Sequence, residues 1–162
     1  MNKNILISSL LVIIILNIAG CEKNDPYAFD VRINLVDESG KETNVFENGD
    51  SIIVKFYLTN NSGDDALFER PCYEFSNFLY IYKEDTKGVY QYYGKPSFNC
   101  TAVLIILDIK NRETKLLATL PWSEELGWPE KQSGKFYVGD TLKMNINDER
   151  HDFEERLYFE IK

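Results

Sequence analysis

An antiparallel β-sandwich is the fold this sequence predicts, and three observations predict it. Apolar and polar residues alternate with period two in a series of short stretches between Phe29 and Ile161. Clusters of Gly, Asn, Asp, Ser and Pro separate those stretches at turn-length intervals. Beyond the N-terminal apolar run, no segment sustains the i, i+3, i+4, i+7 spacing of an amphipathic helix.

The first strand is expected from Phe29, with Phe29, Val31, Ile33 and Leu35 on one face and Asp30, Arg32 and Asn34 on the other. Glu38-Ser39-Gly40-Lys41 turns the chain, and Val45-Phe46 leads into a second turn at Glu47-Asn48-Gly49-Asp50. Ser51 to Thr59 is the clearest strand: Ile52, Val54, Phe56 and Leu58 face one way, and Ile53, Lys55, Tyr57 and Thr59 face the other. Six turn formers, Asn60 to Asp65, follow it, and such residues supply positive φ and side-chain caps. Ala66-Leu67-Phe68 is a short strand closed by Pro71-Cys72.

From Phe78 to Lys83 the alternation sets Phe78, Tyr80 and Tyr82 against Leu79, Ile81 and Lys83, and Asp85-Thr86-Lys87-Gly88 makes a hairpin into Val89 to Tyr93. Thr101 to Ile109 is almost continuously apolar and reads as a strand buried on both faces, with a helix as the alternative. Asn111-Arg112-Glu113 turns it into Lys115 to Leu120. Trp122 to Gly134 lacks periodicity and is expected to be a loop with one helical turn near Ser123-Glu124-Glu125. Lys135 to Val138, Thr141 to Ile146 and Arg156 to Ile161 complete the strands, with Asn147 to Glu155 an acidic connection. Gly49-Asp50-Ser51-Ile52 and Gly139-Asp140-Thr141-Leu142 repeat one turn chemistry.

Ahead of this domain, Lys3 and the apolar run from Ile5 to Ile18 form the charged and apolar regions of a secretory signal. The run is too short for a comfortable membrane span of ~20 apolar residues. It ends in Ile18-Ala19-Gly20-Cys21, whose small pair before a cysteine resembles the lipobox of bacterial lipoproteins. That resemblance implies cleavage before Cys21 and a diacylglyceryl thioether on Cys21, holding the protein to a bacterial membrane at the cell envelope. Residues 1–20 are then the signal peptide, 21–27 a lipid-anchored tether and 28–162 the folded domain. Glu22-Lys23-Asn24-Asp25-Pro26 has nothing apolar to bury and keeps the domain off the bilayer. Its charges resemble the export signal of surface-exposed lipoproteins of the outer membrane in some Gram-negative bacteria.

The 162 residues carry a net charge of −8. Lys3 is the only charged residue before Cys21, so the chain from Cys21 onward carries −9. A surface of that sign repels phosphate rather than releasing its counterions, and nucleic acid is not an expected partner. With Cys21 assigned to lipid, Cys72 and Cys100 are an even pair in an exported chain and suggest a disulfide. Two buried free thiols are the alternative, because spacing alone does not bring two Cα atoms within bonding range.

No motif points to catalysis. The single histidine, His151, sits beside Asp152 in an acidic stretch where a solvated hairpin tip is expected rather than an acid-base pair. The acids lack the spaced ligands and Gly of a calcium loop, and a zinc set needs more His or Cys than remain, so no metal or other cofactor is expected. The candidate binding residues are Trp122 and Trp128, which either offer a flat platform to a glycan or a protein or fold back to cap the open end of the sandwich. Finally, Leu58 to Ser62 and then Leu79, Ile81, Asp85, Gly88, Val89 and Tyr90 resemble the strand-Asn-turn and strand-Asp-x-x-Gly-strand pattern of immunoglobulin-like domains, including the intracellular proteinase inhibitor type. Cys72, Cys100 and the leader depart from that inhibitor type. The expected function is a non-enzymatic, lipid-anchored envelope module that contacts a protein or a glycan. The alternative is an envelope enzyme inhibitor or immunity protein.

Overall fold

The computed structural model describes residues 28–71, 78–97 and 104–162. Cys21, Cys72 and Cys100 lie outside them, as does the whole leader and tether. Twelve strands and one short 3-10 helix make up the described residues: β1 (Phe29–Val36), β2 (Val45–Phe46), β3 (Ile53–Asn60), β4 (Ala66–Pro71), β5 (Ile81–Glu84), β6 (Tyr90–Gly94), β7 (Leu104–Ile109), β8 (Thr114–Pro121), the helix (Glu124–Leu126), β9 (Gly134–Val138), β10 (Thr141–Ile146), β11 (Glu149–Glu154) and β12 (Leu157–Ile161). They form three sheets, with strand orders β1-β3-β8, β11-β10-β4-β7 and β2-β12-β9-β5-β6. The all-β sandwich follows from the alternation. On β3 the buried residues Val54, Phe56, Leu58 and Asn60 alternate with half-buried ones along the whole strand. Burying each of the apolar three contributes ~1.5–3 kcal/mol.

The core is one cluster lined by all three sheets, with Phe56 and Leu58 from β3, Phe68 from β4, Leu142 and Met144 from β10, and Phe136 and Phe159 from β9 and β12. Phe56 on β3 meets the edge of Phe78 at a ring-centroid distance of 5.3 Å, and Phe136 and Phe159 stack at 5.3 Å on the opposite layer. Closure at one point demands glycine. Gly139 has φ +119, and a Cβ there would stand 2.0 Å from the Glu155 carbonyl oxygen and 3.1 Å from Ile33 Cδ1. Asn60, fully buried, ends β3: its Nδ2 donates to the carbonyls of Asp64 (2.8 Å) and Ile109 (3.0 Å), and its Oδ1 accepts from Ser62 N and Oγ. One side chain thus ties the Asn60 to Asp65 turn to the end of β7.

The sheets depart from the sequence expectation in four places. β2 pairs with β12 in parallel, Val45 opposite Glu160 and Phe46 opposite Ile161. Two residues carry no readable period, so this short strand was expected only as a lead into a turn. β7 is an edge strand, and Ile106 is 58% exposed, so the apolar run is not buried on both faces. Phe78 is buried together with Leu79, out of phase with Tyr80 and Tyr82, because it precedes β5 and does not share its pleat. The acidic connection after Ile146 is instead a hairpin: Asn147 and Asp148 have φ 51° and 65°, the two-residue turn that matches strand twist, and β11 runs back along β10.

Candidate functional site

Trp122 and Trp128 are core residues, 6% and 4% exposed. Their rings stack on each other at 5.2 Å, and Trp122 meets the edges of Phe136 and Phe159 at 6.5 and 6.0 Å. Trp122 Nε1 donates to the Pro129 carbonyl (2.7 Å), and its backbone N–H donates to Ile52 O (2.8 Å). The Glu124–Leu126 turn, closed by Gly127 in the left-handed region, folds the loop back so that both indoles cap the sandwich. This corrects the platform reading: a loop with its tryptophans buried does not present them to a ligand.

His151 lies on β11 rather than at a hairpin tip. It packs edge-on against Phe29 (5.3 Å) and stacks on Phe153 (6.0 Å). Asp152, next along the strand, is exposed and pairs with Arg150 across 3.4 Å. Consecutive strand residues point to opposite faces, so sequence adjacency does not make an acid-base pair here. Close by, Phe29, Asp30, Val31, Asn61, Asp152, Phe153, Glu154 and Glu155 line a groove of about 380 Å³. Burial, reinforced by repulsion from Asp30, holds the Glu155 carboxyl above its ordinary value despite the Ile33 backbone N–H that hydrogen-bonds to it. Among the described residues, no three His, Cys, Asp or Glu side chains converge as a metal site.

The most distinctive surface is one that residue-by-residue reading of the sequence passed over. The registers of β12, β9, β5 and β6 set Tyr158 opposite Tyr137, Tyr137 opposite Tyr82 and Tyr82 opposite Tyr92, so four tyrosines stand in one row across the outer face of the sheet. Tyr82 and Tyr137 stack at 4.5 Å with planes 17° apart, and Tyr137 and Tyr158 lie 5.5 Å apart. Tyr90 joins from the next row, 5.1 Å from Tyr137 and 5.7 Å from Tyr158, and Tyr80 lies 5.9 Å from Tyr92. Cross-strand aromatic pairs of this kind each stabilise a sheet by roughly 0.2–1 kcal/mol. Six aromatic rings remain on the solvent side of the layer, with Tyr92 57% and Tyr158 52% exposed.

Charged groups frame the rings. Arg156 lies over Tyr137 at 5.5 Å and Lys95 over Tyr80 at 5.4 Å. Lys135 pairs with Glu84 at 3.7 Å and stands opposite Glu160 in register. Tyr82 Oη donates to Asp140 Oδ2 (3.2 Å). Burial first, and then the Asp140 carboxylate, push the Tyr82 hydroxyl up to about 12, and burial also raises Tyr90 and Tyr137. These phenols therefore keep their protons near neutral pH and can both donate and accept hydrogen bonds. The signal that reveals the face is the two-residue spacing of Tyr80/Tyr82 and Tyr90/Tyr92, but joining it to Tyr137 and Tyr158 takes the strand register.

No protein-family model and no curated protein matches the sequence. Among solved structures, a beta-glucosidase from Listeria innocua in complex with gluconolactone aligns over 82% of this chain and 16% of its own, at 10% identity and TM-score 0.36. The alkylpurine DNA glycosylase AlkC of Pseudomonas fluorescens, bound to DNA containing an abasic site analog, aligns over 82% and 30%, at 14% identity and TM-score 0.35. The structural genomics target SoR45 aligns over 82% and 84%, at 11% identity and TM-score 0.36. This chain thus spans less than a third of the first two. Likeness at that level carries no argument about function.

Proposed function

We propose that this protein is a non-enzymatic binding module of the bacterial cell envelope, anchored through lipid on Cys21, whose contact surface is the tyrosine face of the β2-β12-β9-β5-β6 sheet. One observation carries the reading: the in-register row Tyr158, Tyr137, Tyr82 and Tyr92 with Tyr90 and Tyr80 beside it. Tyrosine supplies a large, rigid and amphipathic contact area at low conformational cost, which is why binding surfaces are rich in it. Cross-strand pairing accounts for rings that stand side by side, but it does not require side chains as exposed as Tyr92 and Tyr158. The lipobox-like Ile18-Ala19-Gly20-Cys21 supports the anchor.

The test has two arms. Cys21→Ser should abolish incorporation of labelled fatty acid and release the protein from the membrane fraction; label retained on the variant removes the anchor. Made in the unanchored Cys21→Ser protein, Tyr92→Ala combined with Tyr158→Ala should lower its binding to isolated cell envelopes by about tenfold or more, while the fold survives the loss of ring contacts that contribute roughly 0.2–1 kcal/mol per cross-strand pair. Unchanged binding removes the tyrosine face as the contact.

A second reading, an envelope enzyme inhibitor or immunity protein, is favoured by a different observation. The hairpin of β10 and β11 carries Asp148, Glu149, Asp152 and Glu154 beside the groove that also holds Asp30 and Glu155. An acidic wedge of this kind suits a basic active site. It predicts that reversing charges on β11, rather than removing tyrosines, abolishes partner binding.

A further inference from the structure

We infer that the partner seated on the tyrosine face is a second copy of this chain, related by a two-fold axis that runs along the row Tyr158, Tyr137, Tyr82 and Tyr92. The inference rests on the reading of that face as the contact surface, and the argument for the occupant is charge complementarity. The whole chain carries −8, so two copies repel over most of their surfaces. Around the tyrosines the signs balance: Glu84, Asp140 and Glu160 stand among Lys95, Lys135 and Arg156.

Their placement is more specific than their balance. Arg156, just before β12, and Glu160 on it lie two residues to either side of Tyr158. On β9, Lys135 precedes Tyr137 by two residues, and Asp140 lies beyond it on the other side. Glu84 follows Tyr82 by two residues on β5, whereas Lys95 covers Tyr80, two residues before it. A two-fold along the tyrosine row exchanges the two sides of that row between copies. It therefore sets Glu160 against the partner's Arg156, Lys135 against the partner's Asp140, and Glu84 against the partner's Lys95. Tyrosine then meets tyrosine along the axis itself, as an isologous interface requires. The ring arrangement agrees: Tyr82 and Tyr137 each spend one face on the other, and Arg156 and Lys95 cover a face of Tyr137 and of Tyr80, so three of the six rings have a face already taken and closed to a sugar ring.

Size sets the strength. Four strands ~4.8 Å apart and about five residues long at ~3.3 Å each, with the two-residue β2 at their edge, offer roughly 350 Å² per copy. A stable complex buries about 800 Å² per partner, so the pair is weak in dilute solution. Anchoring both copies to one membrane through Cys21 raises their effective concentration and lets a weak contact form.

The experiment places a photo-activatable phenylalanine at Tyr92, at Tyr158 or, as a control on another face, at Leu67 of the full chain in its own membrane. The expected product is a covalent pair of this chain from Tyr92 and Tyr158 and none from Leu67. Glu160→Arg or Arg156→Glu alone should cut its yield about tenfold, and the two together should restore it, because a symmetric pair regains complementarity when both signs are exchanged. A cross-link to a different protein or to a glycan overturns the second copy and leaves the tyrosine face as a contact surface. Absence of any product from the face overturns both. A self-product indifferent to the charge reversals, or not restored by the exchange, overturns the two-fold arrangement.

Discussion

Replacing Trp122 by alanine tests where the weight of the sandwich rests. The side chain is 6% exposed, stacked on Trp128, edge-on to Phe136 and Phe159, and hydrogen-bonded through Nε1 to Pro129 O. Truncating a buried Trp costs ~3–5 kcal/mol. The lost hydrogen bond and two aromatic neighbours on the opposite layer put Trp122→Ala at the upper end. For a domain of this size each kcal/mol moves the melting temperature by about 3–4 °C, so at ~4–5 kcal/mol the expected fall is roughly 12–20 °C. Trp122→Phe keeps an aromatic ring in the stack and loses the Nε1 donor, so its fall should be about a third as large. Thermal melts of the two variants and the parent, followed by circular dichroism, decide the matter. A Trp122→Ala protein melting within ~2 °C of the parent refutes the assignment of the ring to the core.

Three further outcomes follow from the packing. Gly139→Ala should destabilise by ~3 kcal/mol or more, measured by denaturant unfolding, because a Cβ meets the Glu155 carbonyl at 2.0 Å and φ is +119. Asn60→Ala should cost ~2–3 kcal/mol in the same assay, since it strands the Ile109 and Asp64 carbonyls and removes the acceptor for Ser62. Glu155 has a folded pKa above its ordinary 4.5, so folding holds its proton longer and its contribution to stability is lost as pH rises from 4.5 through the raised value. Glu155→Gln should therefore flatten the pH dependence of stability in that window and be no less stable than the parent at pH 7; a variant with the parent's pH profile contradicts this.

Period-two alternation made most strands legible because a one-sided sheet writes its burial directly into the sequence, as Ile52 to Leu58 shows. β2 and β11 were not legible for opposite reasons. Val45-Phe46 is held by a parallel partner more than a hundred residues away, and the polar residues of β11 mask a strand entered through the Asn147-Asp148 turn. The sequence leaves Trp122 and Trp128 two roles, cap or platform, because a tryptophan in a Pro- and Gly-bounded loop serves either; only the contacts of Trp122 with Phe136 and Phe159 and the stacking of Trp128 on it decide. The tyrosine row is a property of register, which joins residues from Tyr82 to Tyr158, and no local pattern contains it.

The central claim is that Tyr92 and Tyr158 form a contact surface while the tryptophans belong to the core. Hydroxyl-radical footprinting of the full chain, in its intact envelope and after solubilisation, measures both statements on one sample. Tyr92 and Tyr158 should be labelled strongly when the protein is solubilised and protected in the envelope, with Trp122 and Trp128 labelled weakly in both. Equal labelling of Tyr92 and Tyr158 in the two states, or strong labelling of the tryptophans in the solubilised folded protein, contradicts the claim.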